Sequence, residues 1–166
     1  MSRPEFTHLD EEGRPRMVNV SEKPLSRRSA RAEARVILTA EIARQLKESG
    51  SIAKGNVIET ARIAGIMGAK RTAELIPMCH TLRLDSVELD FKLEDNVLQI
   101  SAETRCTDKT GVEIEAMTSV SIAALTVYDM CKSADKGIII ESIRLVEKTG
   151  GKSGSWSAFK ITETGK

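Results

Sequence analysis

Hydrophobic and polar positions alternate along this chain with two different periods, and the changes of period mark its elements. Between residues 26 and 38, Ala30, Ala32, Ala34 and Val36 alternate with Arg31, Glu33, Arg35 and Ile37. A period of two puts one set on the buried face of a strand; the helix propensity of alanine and arginine makes a helix the alternative. Residues 84–93 and 97–106 alternate in the same way around Glu94-Asp95-Asn96, which predicts an antiparallel hairpin. Val112, Ile114 and Ala116 alternate with Glu113 and Glu115 and continue the strand pattern. Residues 17–20, 138–146 and 155–161 read as three further strands.

Elsewhere the spacing is helical. Thr39 is placed as an N-cap before Ile42, Ala43 and Leu46, and Gly50 ends that helix. Asn56 caps a second helix, with Glu59 three residues on as its capping-box partner and Ile58, Ala61, Gly65, Ile66 and Ala69 along one face. It stops near Leu75, because Pro77 disfavours helical geometry in the residue before it. From Thr118, the positions Val120, Ala123, Ala124, Val127, Tyr128 and Cys131 define a helix that Ile122, Leu125 and Met130 make apolar far round, so it is covered on most sides. Strands and helices that do not strictly alternate predict an α+β fold, helices packed on a mostly antiparallel sheet. Residues 1–15, with Pro4, Gly13 and Pro15 among charges, read as a flexible N-terminal arm, and residues 16–166 as one domain.

Composition narrows the function. With 40% hydrophobic and 30% charged residues, the 166-residue chain has a globular balance. A net charge of +1 argues against a general nucleic-acid binder, and 3% aromatics against base-stacking platforms. Cys79, Cys106 and Cys131 form no CxxC, which argues against a zinc finger or redox pair and for reduced thiols in the cytoplasm. Residues 1–12 carry no apolar core of a secretory signal, and stretches such as 138–140 are too short to span a bilayer, so no membrane is expected.

Four places hold polar groups that a plain core does not need. Lys54-Gly55-Asn56-Val57 sets a lysine on a glycine turn before a helix, where free N–H groups and the helix dipole attract anions; an exposed turn lysine is the commoner reading. Met78-Cys79-His80 places one of two histidines at a helix-to-strand junction, as a structural or a site residue. Glu113 and Glu115, two apart on a strand, project from one face and repel unless a cation or a donor such as a guanine N1–H lies between them; a water-facing edge tolerates the pair as well. Asp129 and Lys132 share a face of the apolar helix. A surface pair is one reading; a cleft or subunit interface, where burial lowers the lysine pKa toward acid–base use, is the other. Gly150-Gly151-Lys152-Ser153-Gly154 fails as a P-loop, because the first glycine would fall at Val146 and a strand follows. It reads as a flexible loop carrying Lys148 and Lys152, able to close over a phosphorylated ligand.

Thr7-His8-Leu9, Met17-Val18-Asn19-Val20, Lys54-Gly55-Asn56-Val57, Thr60-Ala61-Arg62-Ile63-Ala64-Gly65-Ile66, Ala69-Lys70-Arg71-Thr72 and Leu75-Ile76-Pro77-Met78-Cys79-His80 form one ordered series. It continues through Lys109-Thr110-Gly111-Val112-Glu113-Ile114-Glu115-Ala116, Tyr128-Asp129-Met130-Cys131-Lys132 and Gly150-Gly151-Lys152-Ser153-Gly154. Across nearly its whole length the chain thereby resembles the molybdenum cofactor biosynthesis protein C family, the cyclic pyranopterin monophosphate synthases. The resemblance implies conversion of 3′,8-cyclo-7,8-dihydro-GTP, a cyclised GTP derivative, to cyclic pyranopterin monophosphate with release of pyrophosphate. It implies Asp129, Lys54 and Lys132 as catalytic residues. Met78, Cys79, His80, Glu113, Ile114 and Glu115 are implied as substrate-binding, with Arg28 and Lys148 near the triphosphate. It also implies a ferredoxin-like fold and a hexamer, a trimer of dimers with active sites at the dimer interface. No metal ligand and no cofactor is implied, magnesium on the triphosphate being left open. Thr81 stands where the family usually has proline, and Asn19 and Asn56 where it often has aspartate. Thr81 bears on the turn that aims His80 and leaves Lys54, Asp129 and Lys132 untouched. A non-catalytic nucleotide-binding module and a metal-dependent GTP hydrolase are the competing readings, the latter without an obvious carboxylate cage.

Overall fold

The structure is a computed structural model that describes residues 12–52 and 55–158. The alternating run becomes β1 (Ser26–Ile37), with Ala30, Ala32, Ala34 and Val36 at 0–1% exposure and Arg31 and Arg35 on the opposite face. Helix propensity loses here because β1 sits mid-sheet, where both flanking ladders satisfy its backbone. After it come α1 (Ala40–Ser49), a ribbon of β2 (Ser51–Ile52) and β3 (Gly55–Asn56), α2 (Val57–Lys70) and α3 (Thr72–Leu75). The hairpin β4 (Leu84–Glu94) and β5 (Val97–Asp108), the long helix α4 (Glu113–Cys131), β6 (Ile139–Thr149) and the short β7 (Trp156–Ser157) follow.

The main sheet has the order β4-β5-β1-β6-β7, and every pairing in it is antiparallel. Without α1, the small ribbon, α3 and β7, the path β1–α2–β4–β5–α4–β6 is the ferredoxin-like βαββαβ arrangement, in which the hairpin strand β5 is inserted beside β1. Helices α2 and α4 pack against the apolar sheet face and against each other. Gly65 permits that approach: a Cβ there would stand 2.6 Å from Leu89 Cδ2 and 3.0 Å from the Ser119 carbonyl oxygen.

Several expectations need correction. Residues 113–116 are the first turn of α4, not a strand. Four alternating residues are too short a window to separate the two periods, and acidic residues suit a helix's first turn. Residues 17–20 form no strand, and the strand expected over 155–161 amounts to Trp156–Ser157 among the described residues. By length and composition α4 would also pass for a membrane span. Half of that stretch is buried inside the protein, so its apolarity is that of a core helix. Residues 1–11 of the N-terminal arm lie outside the described residues.

Candidate functional site

The clearest concavity lies at the N-terminal end of α4. A cleft of about 300 Å³ is lined by Val18 and Val20 from the segment before β1, by Met78, Cys79, His80 and Leu82 from the loop after α3, and by Glu113, Ile114 and Glu115 from the first turn of α4. Pro77 ends the helical run and turns the chain back toward the sheet, which carries Met78–His80 to this place. His80 Nε2 donates to the Val18 carbonyl at 2.9 Å and so holds the N-terminal segment as a wall of the cleft. Thr81, where the resemblance expects proline, does not prevent that contact.

Glu113 and Glu115 do not project from one face, as a strand would require. Two helical residues are about 200° apart. Glu115 therefore turns inward, at 4% exposure, while Glu113 stays half-buried. Burial pushes the Glu115 carboxyl up to about 7, the Glu113 charge adds to the rise, and a backbone hydrogen bond opposes it. Burial also raises the Cys79 thiol, with the Glu115 charge second. A carboxyl poised near neutrality inside a cleft can accept from ring N–H groups or hold a proton itself.

A second cleft of about 520 Å³ adjoins the first and shares Lys23, Thr110, Gly111 and Glu113 with it. Arg28, Lys109, Lys148, Lys152 and Ser153 complete its lining. The result is one trough with an apolar and acidic compartment and a cationic one. Such a trough suits a heterocycle with N–H donors joined to a multiply charged anion. Lys23 and Lys109 belong to this lining although the residue types and spacings did not single them out. Lys109-Thr110-Gly111, a basic turn directly before a helix, was the available signal for one of them.

Asp129 and Lys132 lie elsewhere. Glu113 and Asp129 are sixteen residues apart on α4, about 24 Å at the helical rise. Lys132 Nζ donates to Asp129 Oδ1 at 2.5 Å, and both side chains are largely exposed, at 49% and 66%. The Asp129 hydrogen bond raises the Lys132 pKa, the reverse of the lowering expected from burial. Lys54 lies outside the described residues. The C-terminal end of α2 leads toward Met78–His80 beside the start of α4, so its beginning at Gly55 and Asn56 points to the far end, where Asp129 is. Asn56 Oδ1 caps α2 by accepting from the Glu59 N–H at 3.0 Å. The structure thus brings Arg28, Met78–His80, Glu113–Glu115 and Lys148 together, and leaves Asp129 and Lys132 a helix-length away.

Comparison with known proteins matches residues 17–151 to the model of the MoaC family. A cyclic pyranopterin monophosphate synthase of Streptomyces avermitilis is 53% identical over 152 residues, which cover 92% of this chain and 89% of the relative. One of Peptoclostridium acidaminophilum is 49% identical over 157 residues, 95% of this chain and 99% of the relative. One of Desulforapulum autotrophicum is 54% identical over 156 residues, 93% and 95% of the two chains.

Proposed function

The chain belongs to the MoaC family, and from that membership we propose that it is a cyclic pyranopterin monophosphate synthase of molybdenum cofactor biosynthesis. As a phosphorus–oxygen lyase of the cytoplasm, with no cofactor of its own, it rearranges 3′,8-cyclo-7,8-dihydro-GTP to cyclic pyranopterin monophosphate and pyrophosphate. The observation that carries this reading is the span of the family match: residues 17–151 include both the trough and the Asp129–Lys132 pair.

In this mechanism the guanine-derived ring lies in the compartment of Met78–His80 and Glu115, where the buried carboxyl accepts from ring N–H groups. The triphosphate runs into the cationic compartment toward Arg28 and Lys148. Opening the purine C–N bonds and closing the pterin ring moves protons on and off nitrogen and oxygen, the work of Lys54, Lys132 and Asp129. Closing the cyclic phosphate expels pyrophosphate, whose developing charge the lysines of the trough stabilise.

One small substrate cannot bridge the roughly 24 Å between Glu113 and Asp129 within a chain. This supports an active site shared between two copies, the trough of one facing the Asp129 end of the other, in a hexamer built as a trimer of dimers. Two experiments test the reading. Purified protein given the cyclised GTP derivative should release pyrophosphate in a coupled assay; saturable binding without release would make it a binding module instead. Asp129→Ala and His80→Ala, each inactive alone, should recover partial activity when unfolded and refolded together, because a mixed dimer holds one intact site. No recovery in verified mixed oligomers would overturn the shared site.

A further inference from the structure

The Gly150–Gly151 turn and Arg28 meet in a contact that charge attraction to a phosphate does not require. Arg28 is half-buried on β1, and its guanidinium is already engaged: Nε donates to the Asp108 carbonyl at 2.9 Å and Nη2 to the Lys109 carbonyl at 3.0 Å. Its remaining edge carries the glycine turn. A Cβ on Gly151 would overlap Arg28 Nη1, and one on Gly150 would overlap the Arg27 carbonyl oxygen. Both glycines also have positive φ, 88° and 71°. Beyond them the loop is tied to itself, by Lys148 Nζ to Ser153 Oγ and by the Gly154 N–H to the Gly151 carbonyl at 3.1 Å. The loop expected from sequence to be flexible is therefore seated on Arg28.

The two turns that Arg28 touches both contribute to the lining of the cationic cleft. One carries Lys109, the other follows Lys148 and carries Lys152. Like charges lining one cleft repel when no anion lies among them, so an empty cleft of this kind tends to spread. A planar guanidinium can hold the two carbonyls of one turn while its remaining nitrogen stands against the other; a lysine ammonium, a single point on a flexible stem, cannot do both.

We propose that Arg28 is a positioning residue: it braces the Lys109 turn against the Gly150–Gly151 turn, and so sets the spacing of the lysines that bind the substrate's phosphates. This rests on the reading of the cationic cleft as a phosphate site. Its charge contributes less than its geometry, so a lysine in its place does not suffice.

The test uses the full chain with inorganic triphosphate as probe, by calorimetry, together with amide hydrogen exchange of the ligand-free protein at residues 109–111 and 151–154. Arg28→Lys keeps the charge, and Gly151→Ala leaves every charge in place while displacing Arg28. Gly154→Ala is the control, since Gly154 shares the positive φ, 63°, but has nothing within 4 Å of an added Cβ. Arg28→Lys and Gly151→Ala should each weaken triphosphate binding roughly tenfold through lost preorganisation, and Gly154→Ala by less than about twofold. The double variant should match the worse single variant, because both remove the same brace. In turnover the loss should fall on KM more than on kcat. Wild-type affinity in Arg28→Lys, or a double variant whose losses multiply, would overturn the proposal. If wild-type protein does not bind triphosphate, the phosphate reading fails, and exchange still decides the brace: both variants should speed exchange in both turns, and an unchanged 109–111 turn in Gly151→Ala refutes it. Should Gly151→Ala not fold, exchange at 151–154 in Arg28→Lys decides in the same way.

Discussion

The two ends of α4 carry the polar residues of this protein in opposite ways. At the N-terminal end Glu115 is buried, sits in a formed cleft, and has a carboxyl pushed up to about 7. At the C-terminal end Asp129 and Lys132 form an exposed pair in which each stabilises the other's charge. The buried end is built at a cost to stability and is chemically poised within one chain. The exposed end costs the fold little, and within one chain its lysine is held more firmly protonated rather than poised for proton transfer. The same helix thus displays a buried, cleft-lining acid at one end and a bare ion pair at the other.

Variants at the two ends should separate these characters. The largest effect belongs to Asp129→Ala, which should lower turnover of the cyclised GTP derivative by roughly 10²–10⁴-fold, the usual worth of a proton-transfer group, with the fold retained on circular dichroism. Turnover at the wild-type rate would remove Asp129 from the chemistry. The buried end should respond in stability. The Glu115 pKa rises from its ordinary 4.5 to about 7, so the folded state binds that proton more tightly than the unfolded state. Its penalty is absent below pH 4.5, grows between 4.5 and about 7, and is complete above that, so this residue makes stability fall as pH rises. Glu115→Gln should flatten that fall and stabilise the protein at about pH 8 by on the order of 2 kcal/mol; parallel melting curves for variant and wild type across pH would refute it.

Midway between the ends, Gly65→Ala drives a Cβ into Leu89 and the Ser119 carbonyl and should cost about 1–3 kcal/mol, read from urea unfolding. It tests whether α4 must sit rigidly on α2 to hold its ends in place. The smallest effect should be that of Lys132→Ala on melting temperature, which should not move measurably, since exposed ion pairs contribute little. A clear drop would show that the far end is less bare than it stands in a single chain.

Much of the fold was legible because its strongest patterns are long. The eight alternating residues from Ala30 to Ile37, although alanine and arginine left helix as an alternative, and the paired runs around Asp95-Asn96 are long enough to show a period of two. The turn at Gly50 and the Asn56 cap were legible because each is a local device with its own residue preference. Failure came where the window was short: Val112, Ile114 and Ala116 alternate in type with Glu113 and Glu115, yet the first turn of α4 exposes Ile114 and buries Glu115. That error moved Glu113 and Glu115 from one face to opposite sides. The candidate site was legible as a set of residues and not as an arrangement. Nothing in residue type tells that Met78–His80 and Asp129 belong to opposite ends of a helix, or that Arg28 reaches across to the Lys109 carbonyl. Those relations come from chain topology, which local pattern does not encode.

The bond between His80 and Val18 assigns one hydrogen atom. A carbonyl oxygen offers only lone pairs, so the hydrogen between them belongs to Nε2. A neutral imidazole is thereby fixed in the Nε2–H tautomer, with its lone pair on Nδ1, and an imidazolium keeps the same Nε2–H. The latch that holds the N-terminal wall of the cleft therefore leaves Nδ1 as the ring's free acceptor, on the side away from Val18.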